Sequence, residues 1–177
     1  MKSKSVLIVV DMQNDFIDGA LANPSAKAIV DKVAQAIEYF NGDVIFTKDT
    51  HYENYLSTQE GKKLPYVHCV KGTNGWFLPE TLIEAGICLA NDERGSVRVL
   101  EKETFGFVNW DKYLSNYDEI YICGTCTDIC VISNVLIIKA LFPEKKIVAL
   151  KDLCAGLTPE KHEAALEVMR SCQIDVE

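Results

Sequence analysis

Val6-Leu7-Ile8-Val9-Val10, closed by Asp11, is an unbroken apolar run rich in β-branched residues. A strand buried on both faces reads this way, as in a parallel sheet covered by helices. Working outward, Val44-Ile45-Phe46-Thr47, Val97 to Leu100, Ile120-Tyr121-Ile122-Cys123 and Ile147-Val148-Ala149-Leu150 repeat the signal, and Ile174 to Val176 reads as a terminal strand. Helical patterns fall between them. Asn23-Pro24 opens one, with Asn as cap and Pro in the first turn; Ala28, Ile29, Val33, Ala36, Ile37 and Phe40 follow at helical spacing, and Asn41-Gly42 closes it. Trp110 to Asn116 reads as a short helix and Thr127 to Leu141 as a strongly apolar one. A last helix starts at Thr158-Pro159 and runs to about Cys172. Strands alternating with helices predict right-handed βαβ units. The expected fold is α/β, a three-layer α/β/α arrangement around a mostly parallel sheet of five to six strands. Residues 49 to 97 read as a long irregular stretch rich in Gly, Asn, Thr and Pro, of the kind that carries function.

The chain has 177 residues, which predicts a single domain over 1–177 with a sizeable core. Hydrophobic residues at 48% and charged residues at 25% exclude a disordered chain. Asp and Glu outnumber Lys and Arg by 26 to 18, and the net charge of −8 argues against a broad phosphate-binding surface, so no nucleic-acid partner is expected. The apolar run before Asp11 is too short for a signal-peptide core, and no run is long enough to span a membrane. Seven cysteines cannot all pair within one chain; buried free thiols in a reducing cytoplasm are the simplest reading. The acidic surface is compatible with a homo-oligomer, but no residue specifies an interface.

No GxGxxG, P-loop or GxSxG motif occurs. His162-Glu163-Ala164-Ala165-Leu166 begins like a zinc-protease helix, but Leu166 takes the second His position, so His162 reads as a surface histidine. The chemistry lies elsewhere. In parallel sheets, ligands bind beyond the carboxyl ends of the strands. Asp11, Asp49 with His51, Lys102, and Gly124 to Cys130 all follow predicted strands. Cys130 sits near the start of a predicted helix, where the dipole and a nearby Lys102 would lower its pKa. Asp11 could take the thiol proton and return it to a leaving amine. The competing reading makes Cys130 one more small buried residue. Asp49-x-His51 with His68 offers a carboxylate and two imidazoles, which suit Zn²⁺, Fe²⁺ or Mn²⁺. Glu60 is a further ligand or a partner to a metal-bound water. Cys123, Cys126 and Cys130 leave a zinc or redox-dithiol reading open, though no second CxxC accompanies them.

Several segments carry a family resemblance. They are Val9-Val10-Asp11-Met12-Gln13-Asn14-Asp15-Phe16, Thr47-Lys48-Asp49-Thr50-His51, the run from Leu64 to Thr73 that includes His68, Lys102-Glu103-Thr104-Phe105-Gly106-Phe107, and Gly124-Thr125-Cys126-Thr127-Asp128-Ile129-Cys130-Val131. Through them the chain resembles the isochorismatase-like cysteine hydrolases over nearly its full length, and within them the nicotinamidase branch. The resemblance implies an Asp11, Lys102, Cys130 catalytic triad. It implies one divalent cation on Asp49, His51 and His68, with Glu60 at or near it. It implies a cis peptide between Thr125 and Cys126, with the Cys126 and Cys130 N–H groups as an oxyanion hole. It places Phe16 and Phe105 against the substrate ring. The implied reaction is hydrolysis of nicotinamide to nicotinate and ammonia through a Cys thioester, as a step of NAD salvage. Two alternatives remain: a family hydrolase of another small amide, such as a carbamoyl or ureido compound, and a non-catalytic binding member.

Overall fold

The computed structural model describes residues 4–177. Its strands are β1 (Ser5–Val10), β2 (Asp43–Asp49), β3 (Val97–Lys102), β4 (Glu119–Thr125), β5 (Lys146–Ala155) and β6 (Asp175–Val176). They form one sheet in the order β3-β2-β1-β4-β5-β6, with every neighbouring pair parallel. The helices are α1 (Asn14–Ile17), α2 (Pro24–Tyr39), α3 (Gln59–Lys63), α4 (Glu80–Asn91), α5 (Asp111–Leu114), α6 (Ile132–Leu141) and α7 (Pro159–Ser171). Among the described residues, no helix is long and apolar enough to cross a membrane.

The apolar run of β1 is explained by its place. It lies in the middle of the sheet, between β2 and β4, and Val6 through Val10 are wholly buried on both faces. The strand order reverses at β1. Right-handed crossovers therefore put the helices on opposite faces, and α2 packs with α4 while α6 packs with α7. A crevice opens where the order reverses, beyond the carboxyl ends of β1 and β4. Gly124 makes this closeness feasible: its φ is +119°, and a Cβ there would meet the Val10 backbone. The helix after β1 is capped as its sequence predicts. The Asn23 side chain accepts the Ser25 N–H at 2.9 Å, and Ile29, Val33 and Ile37 are buried, although Ala28 is exposed. Asn23 Nδ2 also donates to the Gly156 carbonyl, joining this helix start to the segment after β5.

The stretch 49–97 departs from the expectation of irregular chain. It contains α4, whose Leu82, Ala85, Gly86 and Leu89 are buried at helical spacing. The pattern was masked because Gly86 has low helix propensity and Pro79 stands where a polar capping side chain usually does. The apolar segment after β4 also differs from a uniform helix. Thr127–Val131 is a π-helical turn, and α6 proper begins at Ile132.

Candidate active site

β1 ends at Val10, and Asp11 turns into the left-handed region at φ 49°. Aspartate tolerates that conformation better than most residues. Its Oδ1 accepts the Thr47 hydroxyl at 2.7 Å, and its Oδ2 lies 2.6 Å from Lys102 Nζ. Lys102 closes β3, two strands away. Its Nζ donates to the Thr104 carbonyl at 3.1 Å and lies 3.7 Å from Cys130 Sγ and 3.6 Å from Asp49 Oδ1. Asp11, Lys102 and Cys130 are thus brought together, all buried, from three separate segments.

Cys130 sits in the π turn. The Ile129 and Val131 N–H groups both donate to the Cys126 carbonyl, at 3.0 and 3.1 Å, and the Thr125–Cys126 peptide is cis. His162 is not the plain surface residue its sequence context suggests. It is half-buried, and its Nδ1 lies 2.8 Å from Thr127 Oγ1 at the head of the turn. The expected low pKa of Cys130 is also corrected. Burial pushes the thiol up, the Asp11 carboxylate pushes it further, and Lys102 only partly offsets them. Burial likewise raises Asp11 above the ordinary carboxylate range, with Lys102 opposing and Asp49 adding to the rise. Burial works against the Lys102 ammonium, but Asp11, Cys130 and Asp49 around it raise its pKa overall. Lys102 thus sits between the Asp11 carboxyl and the Cys130 sulfur, 2.6 and 3.7 Å from them.

The second group of residues forms on the far side of Lys102. Asp49 is the last residue of β2. Gln13, fully buried, fixes it by accepting the Asp49 N–H at 2.7 Å and donating to the Asp49 carbonyl at 2.9 Å. His51 forms an isolated parallel bridge with Val70, which brings His68 alongside. Asp15 of α1 holds this crossing by accepting the Cys69 N–H at 2.7 Å. Glu60 lies in the first turn of α3, which Thr58 caps through the Gly61 N–H. The ring of Tyr55 packs 4.6 Å from His51 and 5.0 Å from His68, centre to centre. One ligand atom from each of Asp49, His51, Glu60 and His68 lies within 4.8 Å of the others. The His68 Nδ1 is 2.8 Å from the Tyr66 carbonyl, which makes that nitrogen the donor and turns the Nε2 lone pair toward Asp49. His51 Nε2 is buried with no hydrogen-bond partner, 2.9 Å from Asp49 Oδ2. Burial opposes the Asp49 charge, but the two imidazoles beside it and the Lys102 charge hold its carboxyl below the ordinary range. Two imidazole nitrogens and two carboxylates converging in this way fit one divalent cation.

A cavity of about 540 Å³ joins the two groups, since Cys130 and Cys126 line it together with Asp49, His68 and Glu60. Phe16 and Phe105 also line it, with Leu21, Leu64, Ile129 and Leu157 completing an apolar wall. One central residue escaped the sequence reading. Asn134 is fully buried in α6; its Oδ1 accepts Phe107 N–H at 2.8 Å and Trp110 Nε1–H at 3.0 Å, and its Nδ2 donates to the Cys130 and Phe105 carbonyls at 2.8 and 3.2 Å. It ties the turn carrying Cys130 to the loop carrying Phe105. An asparagine within a mostly apolar helix was the available signal.

Known proteins share this sequence pattern and this fold. Residues 5–177 match the family described as Isochorismatase domain. The nicotinamidase/pyrazinamidase of Mycobacterium tuberculosis is 30% identical over 192 residues, covering 96% of each chain. The pyrazinamidase of Pyrococcus horikoshii, solved in complex with zinc, superposes with a TM-score of 0.76 at 32% identity, over 98% of each chain. The N-carbamoylsarcosine amidase of Thermoplasma acidophilum superposes equally well, with a TM-score of 0.76 at 28% identity, over 98% of this chain and 95% of that one.

Proposed function

The chain belongs to the isochorismatase family, and on that premise we propose that it is a metal-dependent cysteine amidohydrolase converting nicotinamide to nicotinate and ammonia. The observation that carries this reading is one cavity lined both by Cys130 and by the Asp49, His68 and Glu60 carboxylate–imidazole set. Its apolar wall suits a flat aromatic ring, with Phe16 and Phe105 packing on it.

Asp49, His51, His68 and Glu60 would hold one divalent cation, most simply Zn²⁺, with Fe²⁺ or Mn²⁺ suited to the same donors. Such an ion would supply Lewis acidity to orient a small substrate in the shared cavity. The chain's own groups do the rest. Asp11, ionised beside Lys102, takes the proton from the Cys130 thiol as sulfur attacks the carboxamide carbon. A thiol with a raised pKa forms a more nucleophilic thiolate than an acidified one, and Asp11, itself raised by burial, is a stronger base. The N–H groups of Cys126 and Cys130 stabilise the oxyanion; the Cys126 carbonyl is taken by Ile129 and Val131, which leaves the Cys130 N–H out of that pairing. Asp11 then protonates the departing nitrogen, releasing ammonia and leaving the thioester. Water adds to the thioester as Asp11 takes its proton, and acid and free thiol are regenerated. Lys102 keeps Asp11 charged and aligned throughout. All seven cysteines are free thiols, which suits a reducing, cytoplasmic setting; a role in NAD salvage follows from the nicotinamide reading itself.

The test is ammonia release from nicotinamide by wild type and Cys130→Ala, before and after chelation and Zn²⁺ add-back. Release requiring both Cys130 and metal is expected. Release by neither protein with metal supplied would sink the nicotinamide reading. The similarity to N-carbamoylsarcosine amidase favours a second reading, hydrolysis of a carbamoyl compound, which predicts ammonia from ureido substrates that survives chelation. A non-catalytic member would behave the same with Ala at position 130.

A further inference from the structure

The Asp49, His51, Glu60, His68 cluster has two open sides. Asp49, His68 and Glu60 face the cavity that Cys130 shares. His51 and Glu60 face a second cavity of about 380 Å³, which Cys130 does not line. Phe105 and Glu60 belong to both and form the wall between them.

The two mouths differ in chemistry. The cavity beside Cys130 is edged by Ala20, Leu21 and Leu157. The second is edged by the exposed residues Tyr52, Asn54 and Glu103, with the Tyr52 hydroxyl 3.3 Å from Glu103 Oε1. Among the described residues, no Lys or Arg lines it. At its inner end His51 is only 7% exposed, with its Nε2 unpartnered. A hydrated divalent cation is strongly disfavoured at an apolar mouth and attracted by a carboxylate-lined one, where oxygen ligands replace its waters stepwise.

We propose that this second cavity is the cation port of the cluster. The ion is captured at Glu103, passes Asn54 and Tyr52, and reaches Glu60 and His51 without crossing the substrate cavity. Metal loading then does not require the substrate cavity to be empty. The proposal rests on the reading of the cluster as a divalent-metal site.

The experiment follows Co²⁺ uptake by the full-length apo-protein in a stopped-flow spectrometer, through the visible bands of the bound ion. Glu103→Gln removes the charge at the mouth, Asn54→Trp fills that mouth, and Leu157→Trp fills the mouth beside Cys130. Uptake is expected to slow roughly three-fold in Glu103→Gln and about ten-fold in Asn54→Trp, while Leu157→Trp loads at the wild-type rate. The final spectrum and equilibrium affinity should match wild type in all three, showing that the cluster itself is intact. Slow loading in Leu157→Trp, or unchanged loading in both Glu103→Gln and Asn54→Trp, would overturn the port. Wild-type protein that binds no Co²⁺ at equilibrium would instead overturn the metal site, and the port with it.

Discussion

At the residue scale, the proposed chemistry rests on Asp11, Lys102 and Cys130, buried side by side, and two predictions follow from their surroundings. Asp11 must be ionised to accept the Cys130 proton, and burial raises its pKa. As pH falls through that raised value the base is lost, so the acid limb of kcat/KM should lie above the ordinary carboxylate value of about 4. A pH profile on the metal-saturated enzyme measures it; a limb at or below that value would contradict the burial argument. The second concerns Asn134, whose four hydrogen bonds hold Cys130 against the Phe105 loop. Asn134→Leu keeps the branched shape of the side chain and removes its bonds to two carbonyls and two N–H groups, a loss of about 3 kcal/mol. Denaturant unfolding gives that figure, and kcat should fall further than in Trp110→Phe, which removes only one donor. Asp11, Asp49, His51, Lys102 and Cys130 were visible in the sequence as reactive types following strands, and Glu60 and His68 as donors in the loop region after β2. The roles of Gln13, Asn134 and His162 were not, because each depends on a hydrogen-bond partner remote in the chain, and spacing carries no record of it.

At the element scale, β2 bears most of the burden, since it ends on Asp49 and begins on Asp43. Asp43 accepts the Ser96 N–H and hydroxyl and the Tyr117 hydroxyl, each at 2.7 Å, joining the start of β2 to the chain before β3 and the chain before β4. Burial would raise its pKa, but these bonds and Lys4 lower it overall. The unfolded chain therefore binds this proton more tightly. The stabilisation is complete above the unfolded value of about 3.9 and is lost as pH falls through the lower folded value. Asp43→Asn should cost about 1–2 kcal/mol at pH 7, and the gap from wild type should narrow under strong acid; unfolding midpoints at both pH values test this. The strands and α2 were legible because one rule governs each: full burial for β1, an Asn-Pro cap for α2. α4 was not, because Gly86 and Pro79 weaken its local signals and only packing against α2 holds it helical. The π turn at Thr127–Val131 was hidden for a similar reason, since a helix pattern does not reveal where an extra residue enters a turn.

At the scale of the whole molecule, a bound cation would fasten the end of β2 to the 51–68 segment, which the sheet itself does not hold. Zn²⁺ at about one hundred times its dissociation constant should stabilise the fold by about 2.7 kcal/mol and raise Tm by roughly 5–10 °C, an increase lost on chelation. Thermal unfolding with and without metal checks it, and an unchanged Tm would mean that the cluster holds no cation in the folded state. The sequence by itself determined the sheet class, the strand positions and the reactive residue types, because full burial and strand-end placement write themselves into local composition. Packing alone settled that β1 is the central strand where the order reverses, that burial pushes the Cys130 thiol up rather than down, and that the Asp49, His51, Glu60, His68 cluster faces two cavities. Each of those is set by burial and by charges brought close from distant segments, and neither quantity exists until the chain has packed.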